Sequence, residues 1–279
     1  MIRVGTSGYS YDDWKGVVYP DRLAKKDFLK HYSNFFGITE INFTYYRLPD
    51  PGIFRNIIDK APDDFLFSVK LSKEFTHERD KMSGAIDGYR KGIEPLIESD
   101  QLLTLLAQFP YSFKPDRQGY NHLKRIRKAF GELPVNVEFR NDYWINDRTF
   151  AFLQEQGLGY VCVDMPRLKH LVPPVVRGTT DLGYIRFHGR AAKHWWNPPK
   201  AYMRYDYLYE GGELEEWVEK THDLENYTEN IVVTFNNHFQ GKSARNAVEF
   251  DSMLRGEGHG DGGISPAHFL SPNRGLFDN

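Results

Sequence analysis

Polar and apolar residues alternate with a period of two in several short segments that start apolar and end polar. One segment carries valine and phenylalanine on one face and Glu138 and Arg140 on the other. A second places Arg186 and His188 opposite isoleucine and phenylalanine, and a third ends in Lys70. A period of two is typical of β-strands. The pattern therefore predicts strands that gain charged side chains toward their C-terminal ends.

Eight such strands alternate with segments whose apolar residues have helical spacing. Alternation predicts a parallel sheet with crossover helices, and eight units predict a single TIM-like (β/α)8 barrel. The alternative is an open doubly wound sheet, but the first turn, Gly5–Gly8, lacks the G-x-G-x-x-G spacing expected there. The predicted strands span about residues 2–6, 39–45, 65–70, 102–109, 134–140, 159–164, 183–188 and 231–236.

Two segments depart from regular alternation. Residues 165–181 are rich in proline and have weak helical spacing, which predicts an irregular unit after the sixth strand. The third helix contains Pro95, which is expected to kink or divide it. The barrel is assigned to residues 1–255 and a Gly/Pro-rich C-terminal tail to residues 256–279, with candidate docking points at Phe269, Leu270 and Phe277.

Composition limits the classes of protein to which the chain can belong. With 40% hydrophobic and 27% charged residues among 279, it resembles a soluble globular protein. The formal net charge of −2 gives no global basic surface for nucleic acid, so such binding requires a local patch. The single Cys162 excludes an internal disulfide and fits a reducing cytosol. The start of the chain as a strand predicts no signal peptide, no apolar run has bilayer length, and a cytoplasmic location is expected.

Polar residues recur at the predicted strand ends, where a TIM barrel carries its active site. A single strand that ends in a polar residue does not indicate a binding site, but polar residues at the ends of nearly all the strands predict a ligand cavity. Tyr46 and Trp144, in the turns after two strands, are candidate stacking contacts, with simple loop packing as the alternative. The strand-end residues are Asn42, Lys70, Gln108, Glu138, Arg140, Asp164, Arg186, His188 and Asn236.

The cations among these residues predict an anion site, because arginine binds phosphate and carboxylate through paired hydrogen bonds. The candidate substrate-binding residues are Lys70, Arg140, Arg186, Asn42, Gln108, Asn236, Tyr46 and Trp144, and the candidate catalytic residues are Glu138, Asp164 and His188. Since alternate strands share side-chain layers, Lys70, Glu138 and Arg186 are expected in one layer, with Glu138 between the two cations. The alternative interpretation is a structural network of buried ion pairs.

The expected function is an enzyme on a phosphorylated or otherwise anionic substrate, with phosphoester hydrolysis as the leading reaction. The alternative is a non-catalytic module that binds a nucleotide or nucleic acid. No cofactor is identified. The candidate ligands of a divalent metal are Asp164, Glu138 and a histidine, although H-x-x-x-H and H-E-x-x-H spacings are absent.

Several motifs in order along the chain resemble those of the YecE-like family, known as domain of unknown function 72. The resemblance runs from Arg3 to about Leu254 and implies a TIM-like barrel without an established activity. The fold resembles endonuclease IV-type barrels, which implies nucleic acid as a partner by analogy only. The family commonly has histidine where Asn141 stands, and an amide cannot shuttle protons. The motifs are Gly5–Tyr9, Trp14–Gly16, Tyr19–Pro20, Glu40–Tyr46, Phe67–Lys70, Thr76–His77, Val137–Arg140, Tyr184–Gly189, Arg204–Tyr209, Phe235–Asn237, Gly241 and Asn246–Ala247.

Overall fold

Eight parallel strands close into a barrel in the order in which they follow one another along the chain. The computed structural model describes residues 1–256 and residue 269. The last strand closes the barrel against the first over their full lengths, with Ile2 paired to Ile231 and Thr6 to Phe235. The predicted TIM-like barrel is confirmed. The strands are β1 (Ile2–Thr6), β2 (Ile38–Ile41), β3 (Leu66–Lys70), β4 (Leu102–Gln108), β5 (Val135–Glu138), β6 (Gly159–Asp164), β7 (Leu182–Phe187) and β8 (Asn230–Phe235).

α-Helices follow seven of the eight strands and pack around the barrel. The connection between β6 and β7 has no helix, so the predicted irregular unit after the sixth strand is confirmed. Its proline content explains this, because proline lacks the amide hydrogen that helices need. The helices are α1 (Phe28–Tyr32), α2 (Pro51–Ile58), α3 (Lys73–Thr76), α4 (Met82–Glu98), α5 (Arg117–Phe130), α6 (Asp147–Glu155), α7 (Gly211–Glu225) and α8 (Lys242–Leu254).

Local chemistry fixes where several helices begin. Asp50 Oδ1 accepts a hydrogen bond from the Gly52 amide at 2.8 Å, and proline occupies the first position of α2. Asn146 Oδ1 caps α6 in the same way, at 2.9 Å from the Thr149 amide. These side chains satisfy amide groups that have no partner inside the helix. Helix starts on the C-terminal side of the barrel are thereby held in place beside the strand ends.

Two sequence-based boundaries require correction. β2 ends at Ile41 rather than near residue 45, and a 3-10 turn, Phe43–Tyr45, follows it. The turn is held by Thr44, whose hydroxyl donates to the Lys70 carbonyl at 2.6 Å, an interaction that alternation along the chain cannot indicate. α4 runs undivided through Pro95 to its end at Glu98. Pro95 removes one intrahelical hydrogen bond, the one to the carbonyl four residues earlier, and the helix ends three residues later at Glu98.

The apolar core lies between the strands and the surrounding helices. The Phe187 and Phe235 rings stack at 4.3 Å on neighbouring strands, and Trp217 of α7 and Phe250 of α8 cover Phe187. The buried residues of the strands that face the opposite way, into the barrel, are largely polar. In the part of the chain that the structure describes, no helix combines the length and apolarity needed to cross a bilayer.

Two residues of the tail are described, Gly256 and Phe269, and Phe269 contacts the barrel. Phe269 is fully buried, with its ring 5.2 Å from that of Phe35. The other two candidate docking points, Leu270 and Phe277, lie outside the described residues.

Candidate functional site

An arginine on β7 lies inside the barrel and binds two carboxylates from distant strands. Arg186 donates to Glu40 on β2 from Nε at 2.7 Å and from Nη2 at 2.6 Å, and its Nη1 donates to Glu138 on β5. Neither β2 nor β5 neighbours β7, so these contacts cross the barrel interior. All three side chains are at most 1% exposed. They form a buried ion network at the level of the strand ends.

The network keeps its charges despite its burial. Burial acts to raise the pKa of Glu40, but the charge of Arg186 outweighs it, and the pKa lies below its ordinary value. Burial likewise opposes ionisation of Glu138, while Arg140 and Arg186 hold its pKa well below the ordinary value. For Arg186, burial lowers the pKa, but Glu138 and Glu40 raise it well above the usual range. Each charge in the network therefore depends on the others.

Glu40 is the central residue that sequence reasoning missed. Besides Arg186, it accepts a hydrogen bond from the Tyr184 hydroxyl at 2.5 Å, and that hydroxyl lies 3.1 Å from Ser68 Oγ. The sequence did contain an indication of its role, because Glu40 shares a strand face with Asn42, which was predicted as a site residue. The interpretation considered only the strand ends, and Glu40 lies one position deeper on that face.

Glu138 connects this network to a second layer of side chains. Its Oε1 lies 2.7 Å from Arg140 Nη2 and 3.1 Å from His188 Nε2. The expectation that Glu138 lies between Lys70 and Arg186 is wrong, since its two cations are Arg186 and Arg140. The physical reason is that β4 lies between β3 and β5. Gln108 of β4 pairs with Glu138 in register and occupies the position beside Lys70.

His188 is a neutral member of this second layer. Asn236 Nδ2 lies 3.2 Å from His188 Nδ1. An amide nitrogen only donates, so Nδ1 accepts and the ring proton is on Nε2, which faces Glu138. Burial, assisted by the charge of Arg140, lowers the pKa of His188 to about 4. The ring therefore acts as a fixed hydrogen-bonding group near neutral pH.

Lys70 differs from the two arginines because no carboxylate in the described part of the chain pairs with it. Its Nζ donates to Gln108 Oε1 at 2.9 Å and lies 4.8 Å from the centre of the Tyr45 ring. Burial lowers the pKa of Lys70, and the nearby Arg186 lowers it further, to about 8. An amide and an aromatic ring stabilise an ammonium group less than a carboxylate does. Lys70 is thus a cation that is easily deprotonated.

Two adjoining cavities open at the C-terminal ends of the strands. The first lobe has a volume of about 410 Å³ and reaches down to Glu40 and Arg186. The second lobe has a volume of about 310 Å³ and reaches Gln108 and Trp196. Their described lining residues include four cations but a single carboxylate, Glu40. The lining residues common to both lobes are Tyr45, Tyr46, Lys70, Arg140 and Tyr205.

Most of the predicted binding residues line these lobes. Asn42 and Asn236 line the first lobe, Gln108 lines the second, and Tyr46 lines both and is 77% exposed. Glu138 and His188 lie directly beneath, in contact with Arg140 and Arg186. The structure therefore brings together nine of the eleven residues proposed from the sequence.

Asp164 is not among them. It is fully buried and accepts hydrogen bonds from Arg190 at 2.9 and 2.7 Å, from Tyr209 at 2.8 Å and from Trp217 at 2.7 Å. Trp217 belongs to α7, in the outer helical layer, so Asp164 faces away from the barrel interior. It lines neither lobe. Asp164 therefore anchors the β6 end to α7, and the predicted metal set of Asp164, Glu138 and a histidine is not assembled.

Trp144 also lies away from the cavities. Its ring is fully buried and stacks on Phe139 at 4.4 Å, and its Nε1 donates to the Phe113 carbonyl at 2.8 Å. Asn141, where the family commonly has histidine, is buried beside it and donates to the same carbonyl at 2.6 Å. Both residues fix the turn after β5.

The long connection from β7 to α7 supplies lining residues that the sequence analysis did not assign to the site, although Arg204–Tyr209 is one of the family motifs. Tyr205 lines both lobes, and Arg204, in the second lobe, is the fourth cation of the two lobes together. Trp195 packs against Arg140, with the guanidinium carbon 5.6 Å from the ring centre. The charged and aromatic residues of this segment are of the types that bind ligands. Because the segment has no periodicity, the sequence could not predict which of these side chains point into the cavity.

A metal centre is not evident in residues 1–256. No group of three or more histidine, cysteine, aspartate or glutamate side chains converges there in a metal-binding arrangement.

The fold and the cavity define a TIM barrel with a cation-rich mouth above a buried ion network. The sequence model of a protein family described as "Protein of unknown function DUF72" matches residues 3–268. The chain belongs to this family. The predicted YecE-like resemblance is thereby confirmed, and the match extends past Leu254, where the motifs end, into the tail.

Related proteins share the whole barrel. A DUF72 family protein of Thermotoga maritima MSB8 is 40% identical, with a TM-score of 0.84 over 91% of this chain and 99% of that one. A DUF72 family protein of Enterococcus faecalis V583 is 26% identical, with a TM-score of 0.82 over 91% and 96% of the two chains. The UPF0759 protein YunF of Bacillus subtilis strain 168 is 28% identical over 91% of this chain and 95% of its own length.

Proposed function

We propose that the barrel mouth binds a small anionic substrate, phosphorylated or carboxylated, and that the protein is an enzyme acting on it. The carrying observation is the charge imbalance of the two lobes: among their described lining residues, the four cations Lys70, Arg140, Arg186 and Arg204 face a single carboxylate. Adding Glu138 beneath the cavity still leaves four cations against two acids. An anion of one or two charges neutralises this excess.

Lys70 and Arg140 are the proposed ligands of the anion. Both line the two lobes, and Lys70 has no acidic partner in the described residues. Arg186 has a different role, because Glu40 and Glu138 occupy its donors. Glu138, which also contacts His188, holds Arg140 from below and fixes the direction of its guanidinium. Preorganised cations of this kind lower the entropic cost of binding.

Burial changes which side chains are candidates for the catalytic acid or base. Glu138 and His188 are fully buried, whereas a general base must come within hydrogen-bond distance of the substrate or its water. Lys70 is the titratable group that is best placed at the cavity wall. Phosphoester hydrolysis remains one reaction to assay, with Lys70 added to the candidate catalytic residues.

Titration calorimetry with inorganic phosphate and sugar phosphates tests the anion site. A charged hydrogen bond contributes about 1.5–3 kcal/mol, so Lys70→Met should weaken binding about tenfold or more. Lys73→Met is the matched control, since Lys73 pairs with Glu78 at 2.7 Å and lines neither lobe. Equal affinities of the wild type and Lys70→Met for every anion tested would refute the proposed site.

A second candidate, binding of a nucleotide or single-stranded nucleic acid, is favoured by exposed aromatic residues around the mouth. Trp196 and Tyr143 are each 49% exposed, and Lys114 lies 4.4 Å from the Tyr111 ring and 4.6 Å from the Tyr143 ring. Aromatic faces with interleaved cations suit stacked bases and their phosphates. Quenching of tryptophan fluorescence by oligonucleotides, lost in Trp196→Ala and weakened by salt, would support it. Binding that does not depend on salt would argue against phosphate contacts.

A further inference from the structure

Lys70 occupies an unusual environment for a cavity lysine. Its Nζ lies at the C-terminal end of β3, between the Gln108 amide oxygen at 2.9 Å and the Tyr45 ring at 4.8 Å. It lines both lobes of the cavity, so a bound substrate can reach it. The surrounding cations, Arg140 and Arg186, disfavour a further positive charge at this point. These are the conditions under which a lysine amine becomes a nucleophile.

We infer that Lys70 forms an imine with the carbonyl group of an anionic substrate, a short keto acid or a phosphorylated aldehyde or ketone. This inference rests on the proposed function, because Arg140, proposed above as a ligand of the anion, is taken to hold the anionic group while Nζ of Lys70 meets the carbonyl carbon. A neutral carbonyl compound lacks that anchor and should react poorly.

The chemistry needs no oxidant or reductant. The Nζ lone pair attacks the carbonyl carbon, a C–N bond forms, and the carbonyl oxygen takes up a proton to give a carbinolamine. Loss of that oxygen as water, with a proton from nitrogen, gives the imine. The sum is amine plus carbonyl compound giving imine plus water.

The protonation state of Lys70 is consistent with this role. Burial and the charge of Arg186 lower its pKa to about 8. At about pH 7.5, roughly a quarter of such a lysine is the free amine, against about one part in a thousand for an ordinary lysine. Gln108 suits the reaction, because its amide oxygen accepts a hydrogen bond from either the ammonium or the neutral amine. A carboxylate in the same place would hold Lys70 protonated.

The test is reductive trapping followed by mass spectrometry of the intact protein and its peptides. The protein is incubated separately with pyruvate, dihydroxyacetone phosphate and acetone, each with cyanoborohydride, which reduces an imine to a stable secondary amine. Pyruvate and dihydroxyacetone phosphate separate a carboxylated from a phosphorylated substrate, and acetone is the neutral control. We expect one adduct per chain on Lys70, at least about tenfold more than on Lys73, because Lys73 pairs with Glu78 at 2.7 Å and lines neither lobe.

Two variants and one competitor make the result decisive. Lys70→Arg keeps the positive charge but has no amine of this reactivity, so it should bind phosphate and yield no adduct at this position. Lys73→Arg should trap like the wild type. Inorganic phosphate should protect Lys70 by occupying the anion site.

The outcomes separate the two proposals. Adducts spread evenly over surface lysines, or none on Lys70, together with intact phosphate binding, would overturn the imine inference and leave the anion site standing. Absence of both the Lys70 adduct and phosphate binding would overturn the proposed function as well. A Lys70 adduct that phosphate does not suppress would show imine formation without the anion anchor, and would overturn the substrate class stated above.

Discussion

Replacing Arg186 by methionine removes the cation that two buried carboxylates share. Glu138 keeps Arg140 as a partner at 2.7 Å. Glu40 keeps the neutral donors Tyr184, at 2.5 Å, and Thr234, at 3.5 Å. A fully buried carboxylate without an adjacent cation favours its neutral form, so the pKa of Glu40 should rise from below its ordinary value to above it.

The structure predicts how much stability Arg186→Met loses and how that loss depends on pH. Removing one partner of a buried ion pair costs about 3–5 kcal/mol. Once Glu40 has a raised pKa in the folded variant, each unit of pH above about 4.3, up to that pKa, costs about 1.36 kcal/mol of stability. The variant should therefore lose stability between about pH 5 and pH 7, by up to about 2.7 kcal/mol from this group. In the wild type the pKa of Glu40 is lowered, so its contribution is complete across this range and is lost only at lower pH.

Urea denaturation followed by circular dichroism, at both pH values, measures these quantities. The double variant Arg186→Met/Glu40→Gln has no carboxylate to titrate at this position, so it should regain stability at neutral pH and lose most of the pH dependence. Arg167→Met is the control, because Arg167 is 44% exposed and its contacts are 3.5 and 3.7 Å long. Such a pair contributes less than about 1 kcal/mol. A destabilisation of Arg186→Met that is equal at the two pH values would refute the reasoning, even if it is large.

Three further predictions concern residues around the cavity. Asp164→Asn should lower the free energy of unfolding by about 3 kcal/mol and leave phosphate affinity unchanged, since Asp164 faces α7. Weaker phosphate binding in calorimetric titration would show instead that Asp164 contributes to the binding site. His188 has a pKa of about 4 because it is buried, so the free energy of unfolding should fall by about 3 kcal/mol as the pH drops from about 6.5 to 4. In His188→Gln this part of the pH dependence should be absent. Trp144→Ala should cost about 3–5 kcal/mol in chemical denaturation without altering ligand affinity, and a lower affinity at unchanged stability would contradict the burial of its ring.

The barrel and much of its cation-rich mouth were predictable because they depend on local patterns. Period-two alternation identifies a strand and its polar face, and alternation with helices identifies the parallel sheet. Lys70, Arg140 and Arg186 all stand at polar strand ends, and parallel strands that close into a barrel bring such ends together. The family motifs pointed to the same segments.

Asp164 shows where that reasoning stops. β6 is buried on both faces, so its sequence, Gly159–Asp164, has no alternation to tell the inner face from the outer one. A polar residue at its end points either into the cavity or toward the helices, and only the packing of Trp217 and Tyr209 settled the direction. Trp144 poses the same difficulty, because it follows a strand in a turn that has no period.

By itself the sequence determined the order of strands and helices, the irregular unit between β6 and β7, and the set of charged residues available to the mouth. Only the tertiary structure decided which charges pair. Glu40 and Arg186 are 146 positions apart in the chain and meet through closure of the barrel. Among the residues that the structure describes, that pairing leaves Lys70 without a carboxylate. Ion pairs depend on distances of a few ångströms, which no pattern along the chain records.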